Sequence, residues 1–242
     1  MTLLLTDNEE LLQRFISLLK KKGLEANQFH FAFSPVNKAM MEKYSGQDWI
    51  KPVNVKENVE AIISNYTLVL SLHSKQLFPA KLVESVTCIN IHPGLNPHNR
   101  GWFPQVFSII NKKPAGATIH LMDEQLDHGP VIAQKEITVE DWDTSFSAYN
   151  KVLDAEIELL DENLENILKG GYQTFSVDEG NVNLKKDFDK LCRLNLNSPG
   201  TLGEHIDLLR ALTHGDYANA WFMNEKGEKI FIKVSMFKGE GK

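Results

Sequence analysis

"CINIHPGLNPHNRGWFPQ", residues 88–105, begins as an apolar strand and ends in a loop rich in Pro, Gly and Asn. Alternate strand residues face the same side, so Asn90 and His92 project together just before the chain turns. On either side, "PAKLVES" and "WFPQVFSIINKK" read as helices. Further back lie the strand "YTLVLSLHS", apolar enough to be buried on both faces, a helix-like "VKENVEAIISN" and the strand "QFHFAFS". The chain opens on a strand, "TLLLT", followed by Asp7 as the expected cap of a helix over "NEELLQRFISLLKKKG". That helix gathers Leu11, Leu12, Phe15, Ile16, Leu18 and Leu19 on one face. It carries acids in its first turn, lysines in its last, and Gly23 as its stop.

Downstream, "GATIHLMD" and "PVIAQKEITVE" read as strands. Residues 144–169 form the longest helical pattern, with Phe146, Tyr149, Leu153, Leu160, Leu164 and Ile167 spaced for a buried face. Alternating strands and helices predict an α/β fold: a Rossmann-like, mostly parallel sheet with helices on both faces. Such sheets bind ligands outside the carboxyl ends of their strands, where Asn90 and His92 stand. Past about residue 180 the character changes. Turn-rich "NLNSPG" precedes a helix, "TLGEHIDLLRAL", and a hairpin, "NAWFMNEKGEKIFIKV", turning at Glu225-Lys226-Gly227. The expected division is a catalytic domain over 1–178 and a small C-terminal subdomain over 179–242.

The 242 residues are 42% hydrophobic and 24% charged, the balance of a soluble globular protein. A net charge of −6 argues against a general polyanion binder such as a nucleic-acid partner. Only two cysteines are present, Cys88 and Cys192, too few for a disulfide framework, and the expected compartment is a reducing cytoplasm. No segment approaches the roughly 20 apolar residues of a membrane span, and "MTLLLTDNEE" lacks the features of a signal peptide. There is no H-x-x-x-H or C-x-x-C spacing to suggest a metal, and no Gly-rich phosphate-binding fingerprint for NAD or ATP.

A second polar loop stands in "MDEQLDHGPVIAQ", residues 122–134, where Asp127 precedes Gly129-Pro130 and an apolar strand. Taken alone, an Asp in a turn is ordinary turn chemistry. Asn-x-His-Pro on one strand end and Asp-x-Gly-Pro in a later loop, together with "GATIHLMDEQLDHGPVIAQ", resemble the folate-dependent formyltransferases. The resemblance spans about residues 1–170 as fold and 70–135 as motif. It implies formyl transfer from N10-formyltetrahydrofolate to an amine, with Asn90, His92 and Asp127 as the catalytic three. The residue types suit that chemistry. A carboxamide donor can meet the oxygen on which charge builds, an imidazole can accept the amine proton near neutral pH, and a carboxylate can orient the ring.

Within the family, "SLHSKQLFPAKLV", "NIHPGLNPHNRGWFPQVFSIIN" and "LLRALTHGDYANAWFMNEKGEKIFI" resemble the sugar-nucleotide branch. They imply a dTDP-linked amino-dideoxy sugar as acceptor, with dTDP-4-amino-4,6-dideoxyglucose expected, the 3-amino isomer as runner-up and surface polysaccharide as end use. The same resemblance places Lys75, Gln76 and Leu77 along the pterin and Ile119, His120, Leu121, Met122 and Asp123 on the other side of its pocket. Asn8 and Lys75 become candidates for the phosphates, and His98, Asn99, Arg100 and Trp102 for the sugar, although an aromatic is expected at His98 and Trp102 suits helix-start packing equally. Tyr217, Trp221 and Phe222 either stack on thymine or pack the hairpin. A homodimer is expected through the exposed hairpin and "IFIKVSMF". A formyltetrahydrofolate hydrolase, which usually carries a regulatory domain ahead of the catalytic one, and a non-enzymatic nucleotide sensor are the rival readings.

Overall fold

β-Branched and leucine-rich runs in the first half of the chain form strands because both of their faces are covered. In the computed structural model, which describes residues 1–239, the strands β1 (Thr2–Thr6), β2 (Phe29–Phe33), β3 (Ile50–Pro52), β4 (Leu68–Leu72) and β5 (Thr87–His92) come first. They are followed by β6 (Arg100–Gly101), β7 (Ala115–Leu121), β8 (Val131–Ile137) and β9 (Val182–Asn183). Two hairpins complete the set: β10 (Thr213–His214) with β11 (Tyr217–Ala218), and β12 (Ala220–Met223) with β13 (Lys229–Ile232). The helices are α1 (Glu9–Lys22), α2 (Lys38–Lys43), α3 (Val59–Asn65), α4 (Ala80–Ser85), α5 (Pro104–Asn111), α6 (Ser145–Lys169), α7 (Lys185–Cys192) and α8 (Leu202–Leu212).

Seven strands make one sheet in the order β3-β2-β1-β4-β5-β7-β8. The pairs from β3 through β5 are parallel and β5 meets β7 antiparallel, so the sheet is mostly parallel and flanked by helices, as the sequence pattern predicts. Strand order reverses between β2 and β4 on either side of β1, which makes the carboxyl ends of β1 and β4 the switch-point crevice of the sheet. The strand Ile50–Pro52 was not expected; it lies at the sheet edge, where a terminal Pro removes no needed ladder bond.

Several local expectations need correction. Asp7 does not cap α1; Asn8 does, its side chain accepting from the Leu11 amide. Asp7 instead binds loop amides, as described below. Phe146, expected on the buried face of α6, is 45% exposed, whereas Leu153, Leu160, Leu164 and Ile167 are buried. Helix α7, ahead of "NLNSPG", has no counterpart among the elements expected from the sequence.

Compactness divides the chain otherwise than a cut at 178/179. One unit comprises Met1–His92, Ala117–Lys135 and Glu156–Val177; the other comprises Pro93–Gly116, Glu136–Ala155 and the chain from Asp178 on. The first has a core of Leu3, Leu5, Val55, Ile62, Val69, Leu82 and Cys88 beneath the sheet. Burial pushes the Cys88 thiol up to about 12, so it packs as a small hydrophobe. The second is built around Val106, Ile109, Phe188, Ala211 and Leu212, with α5 against α8. Among the described residues no helix is long and apolar enough to cross a membrane.

The central strand β4 is flanked by β1 and β5 and its Leu70 is fully buried. Leu70→Ala should destabilise the fold by about 3 kcal/mol, through lost transfer energy and the cavity left behind. In urea this reads as a lower unfolding midpoint at unchanged slope.

Candidate active site

Strand pairing assembles the site. In the antiparallel β5/β7 ladder, Asn90 lies opposite His120 and His92 opposite Thr118, so Asn90 and His120 share one face as cross-strand neighbours. Asp127 reaches the same place from the loop after β7, with a left-handed φ of 49° that Asp tolerates better than most residues. Its Oδ1 accepts from Asn90 Nδ2 at 2.9 Å, and its Oδ2 lies 3.5 Å from His92 Nδ1. His120 Nε2 lies 3.8 Å from the same carboxylate and 3.4 Å from Asn90 Nδ2. All three charged or chargeable side chains are nearly buried, at 4% exposure for His92, 10% for Asp127 and 2% for His120.

Proton positions follow from these contacts. His120 Nδ1 is 2.6 Å from the Leu121 carbonyl, which can only accept, so Nδ1 carries the proton and Nε2 presents a lone pair. The Asn90 carboxamide must turn its NH₂ toward the Asp127 carboxylate, since the reverse orientation would face oxygen with oxygen. One Asn90 N–H is thus given to Asp127 and the other is aimed, at a long 3.4 Å, toward His120. His120 was expected only among residues lining a cofactor pocket. The cross-strand register that brings it to Asn90 has no signature in the sequence.

The loop carrying Asp127 has a fixed footing. The Leu121 amide donates to the Pro130 carbonyl at 2.9 Å, and Gly129 lies so close to the chain that an added Cβ would sit 2.1 Å from the Leu121 carbonyl oxygen.

Other expected site residues divide by burial. Lys75 and Leu77 are exposed, Leu77 by 80%, at the end of β4. Gln76 commits both ends of its side chain to the chain itself, accepting from the Val55 amide and donating to the Val53 carbonyl. Of the 119–123 segment, Ile119 and His120 are buried. Leu121, Met122 and Asp123 are half-buried, and Asp123 accepts from His128 at 2.7 Å. Asn8 is occupied as the cap of α1.

In the second unit, Asn99 is fully buried, donating to Ser108 Oγ and Asn111 and accepting from Asn181 at 2.7 Å. Arg100 is 6% exposed and pairs with Glu179 at 3.4 Å. His98 is half-buried and Trp102 is 39% exposed beside Phe103. Tyr217, 69% exposed, stands by the His214 ring. The Lys229 and Arg193 cations sit over the Trp221 ring at 4.2 and 5.6 Å from its centre, and Phe222 is half-buried in the same hairpin. Among the described residues, no group of three His, Cys, Asp or Glu side chains is arranged to hold a metal ion.

Comparison with known proteins matches the family described as formyl transferase over residues 5–164, and the N-formyltransferase dimerization C-terminal domain over residues 187–238. The dTDP-4-amino-4,6-dideoxyglucose formyltransferase of Mycobacterium tuberculosis is 54% identical over 182 residues, 75% of this chain and 78% of that one. The crystal structure of a 4-N formyltransferase from Francisella tularensis is 44% identical, covers 98% of both chains and superposes with a TM-score of 0.92. A sugar 3N-formyl transferase, crystallised in the presence of dTDP and 5-N-formyl-THF, shares the fold at 20% identity, covering 93% of this chain and 82% of that one with a TM-score of 0.74.

Gly129→Ala should displace the Asp127 loop, because backbone and not a yielding side chain meets the new methyl. The expected outcome is a loss of turnover of about 10²-fold, as for misplacement of a group near the reacting centre, with the unfolding temperature lowered far less than by a core truncation. Steady-state rates and a thermal melt on the same sample check it.

Proposed function

The chain belongs to the formyl transferase family, and from that footing we propose that it formylates the amino group of a dTDP-linked amino-dideoxy sugar, dTDP-4-amino-4,6-dideoxyglucose. The observation that carries the chemistry is the meeting of Asn90, His92 and Asp127 at one strand end. The relative in Mycobacterium tuberculosis supports the choice of sugar. N10-formyltetrahydrofolate, when bound, supplies the formyl carbon. The donor set fits this co-substrate: an amide donor, an imidazole and a carboxylate converge, and exposed Leu77 offers an apolar contact near the same sheet edge. No covalent enzyme intermediate is needed, and Cys88, buried with its thiol held up to about 12, is no nucleophile.

His92 takes the proton that the attacking amine must lose. Asp127, 3.5 Å from Nδ1, orients the ring and stabilises it once protonated. Asn90 stabilises the oxygen on which negative charge grows, a contribution of about 3–4 kcal/mol for one oxyanion donor. Both of its N–H groups face the chain's own acceptors, so the weaker link, 3.4 Å to His120, is the one that yields to that oxygen. Lys75 is exposed beside the switch-point crevice and is assigned to the substrate's diphosphate.

The segment 187–238, matched to a dimerization domain, supports a homodimer of this chain. Exposed Ile206, Ile230 and Phe231 in the same segment are suitable contact residues. Residues 1–178 are assigned the catalytic role and the remainder the assembly role. A net charge of −6 supports a small-molecule acceptor over an RNA. A cytoplasmic setting and use of the product in surface polysaccharide rest on the family resemblance.

Incubation with N10-formyltetrahydrofolate and dTDP-4-amino-4,6-dideoxyglucose should yield a sugar nucleotide heavier by one formyl group in mass spectrometry. Formate without formylated sugar would point to a hydrolase, binding without turnover to a sensor, and preference for the 3-amino isomer would move the acceptor position. His92→Asn and Asn90→Ala should each lower turnover by about 10²-fold or more. Asp127→Ala should be as severe. Near-full activity in either of the first two would refute the assigned roles.

Sedimentation or light scattering should return twice the mass of one chain. Ile230→Asp with Phe231→Asp should shift it toward one.

A further inference from the structure

The loop after β4, residues 73–77, is fastened by polar groups from several other parts of the first unit, and one of these has no part in the chemistry above. Glu156, in α6, is fully buried, and its Oε1 lies 2.8 Å from Nε2 of His73. Burial pushes the Glu156 carboxyl up, while His73 and Arg14 pull it back down. Among the described residues its Oε2 has no hydrogen-bond partner. A buried carboxylate satisfied at one oxygen is a poor stabilising device, and an apolar side chain of similar size would serve packing as well or better.

The other end of the contact is strained. His73 has φ 58°, a left-handed conformation that a non-glycine residue keeps only where its surroundings over-determine it. The rest of the loop is held just as closely. The Lys75 amide donates to Asp7 Oδ2 at 2.8 Å, while Asp7 Oδ1 accepts from the Ser34 amide at 3.0 Å. The Gln76 side chain is bound at both ends to the backbone of 53–55. Out of this immobilised segment stand exposed Lys75 and an 80% exposed Leu77, beside the crevice at the end of β4. A loop ordered in advance, carrying an apolar and a cationic side chain into a crevice, lowers the ordering cost of binding there.

We propose that Glu156 is a positioning residue: through His73 it holds the 73–77 loop in the shape that receives the formyl donor, with Leu77 against its apolar ring system. This rests on the formyl-transfer reading above. Glu156 touches neither substrate and moves no proton; its work is done through the loop.

Glu156→Gln removes the charge and keeps the shape. His73→Asn removes the ring while placing at the left-handed position a residue that tolerates it. Each should raise KM for N10-formyltetrahydrofolate about ten-fold while kcat stays within about three-fold, the signature of lost binding and intact chemistry. Each should also speed amide hydrogen exchange across residues 74–77. The double variant should be no worse than the weaker-binding single, because both break one link. A fall in kcat at unchanged KM, additive losses in the double variant, or unchanged exchange over 74–77 would overturn the proposal. Should Glu156→Gln fail to fold, His73→Asn decides on KM and exchange alone. Exchange is read without turnover, so if the unaltered protein formylates no amino sugar, the functional reading falls while the positioning of the loop is still decided.

Discussion

The Asp127 carboxylate is the group on which the arrangement of the site depends. One oxygen receives an N–H from Asn90 and the other faces the His92 ring. That single acceptor decides which way the Asn90 carboxamide points and gives the His92 imidazole a fixed electrostatic neighbour. The carboxylate is in turn held by backbone: a loop whose Gly129 lies against the Leu121 carbonyl and which hands Asp127 over in a left-handed conformation.

A second carboxylate performs a comparable service two strands away from β5. Asp7, at the end of β1, accepts from the amides of Ser34 and Lys75, joining the loops after β2 and β4 on either side of the switch point. Two carboxylates therefore organise the carboxyl edge of the sheet, Asp7 by binding loop amides and Asp127 by holding the Asn90 side chain. Such preorganisation suits a reaction in which charge appears on an oxygen and on a nitrogen and no covalent bond to the enzyme is made. Donors and acceptors already in place need not be ordered as the charge develops.

His120 qualifies the simplest account of Asn90. A donor free to meet the substrate would be expected to point outward, yet both of its hydrogens are directed at the chain's own acceptors. The difference in length between the two contacts makes one of them expendable, and the 2.6 Å contact of His120 Nδ1 to the Leu121 carbonyl leaves Nε2 as the second acceptor. The resting site thus holds the amide ready without leaving a buried donor unsatisfied.

Much of this was legible in the chain itself. The alternation of apolar strands with amphipathic helices determined the sheet, because side-chain periodicity is a local property. The polar residues Asn90, His92 and Asp127 stood out against apolar strands and a Gly-Pro turn. Tertiary structure decided what depends on partners distant in sequence. The antiparallel register of β5 with β7 brought His120 to Asn90, and α6 carried Glu156 beneath His73. Packing in the second unit decided the burial of Asn99 and Arg100. Burial also made Asp7 a binder of loop amides and left the cap of α1 to Asn8. A residue's neighbours along the chain reveal its preferences, but its role is chosen by which unsatisfied groups the fold brings within hydrogen-bonding distance.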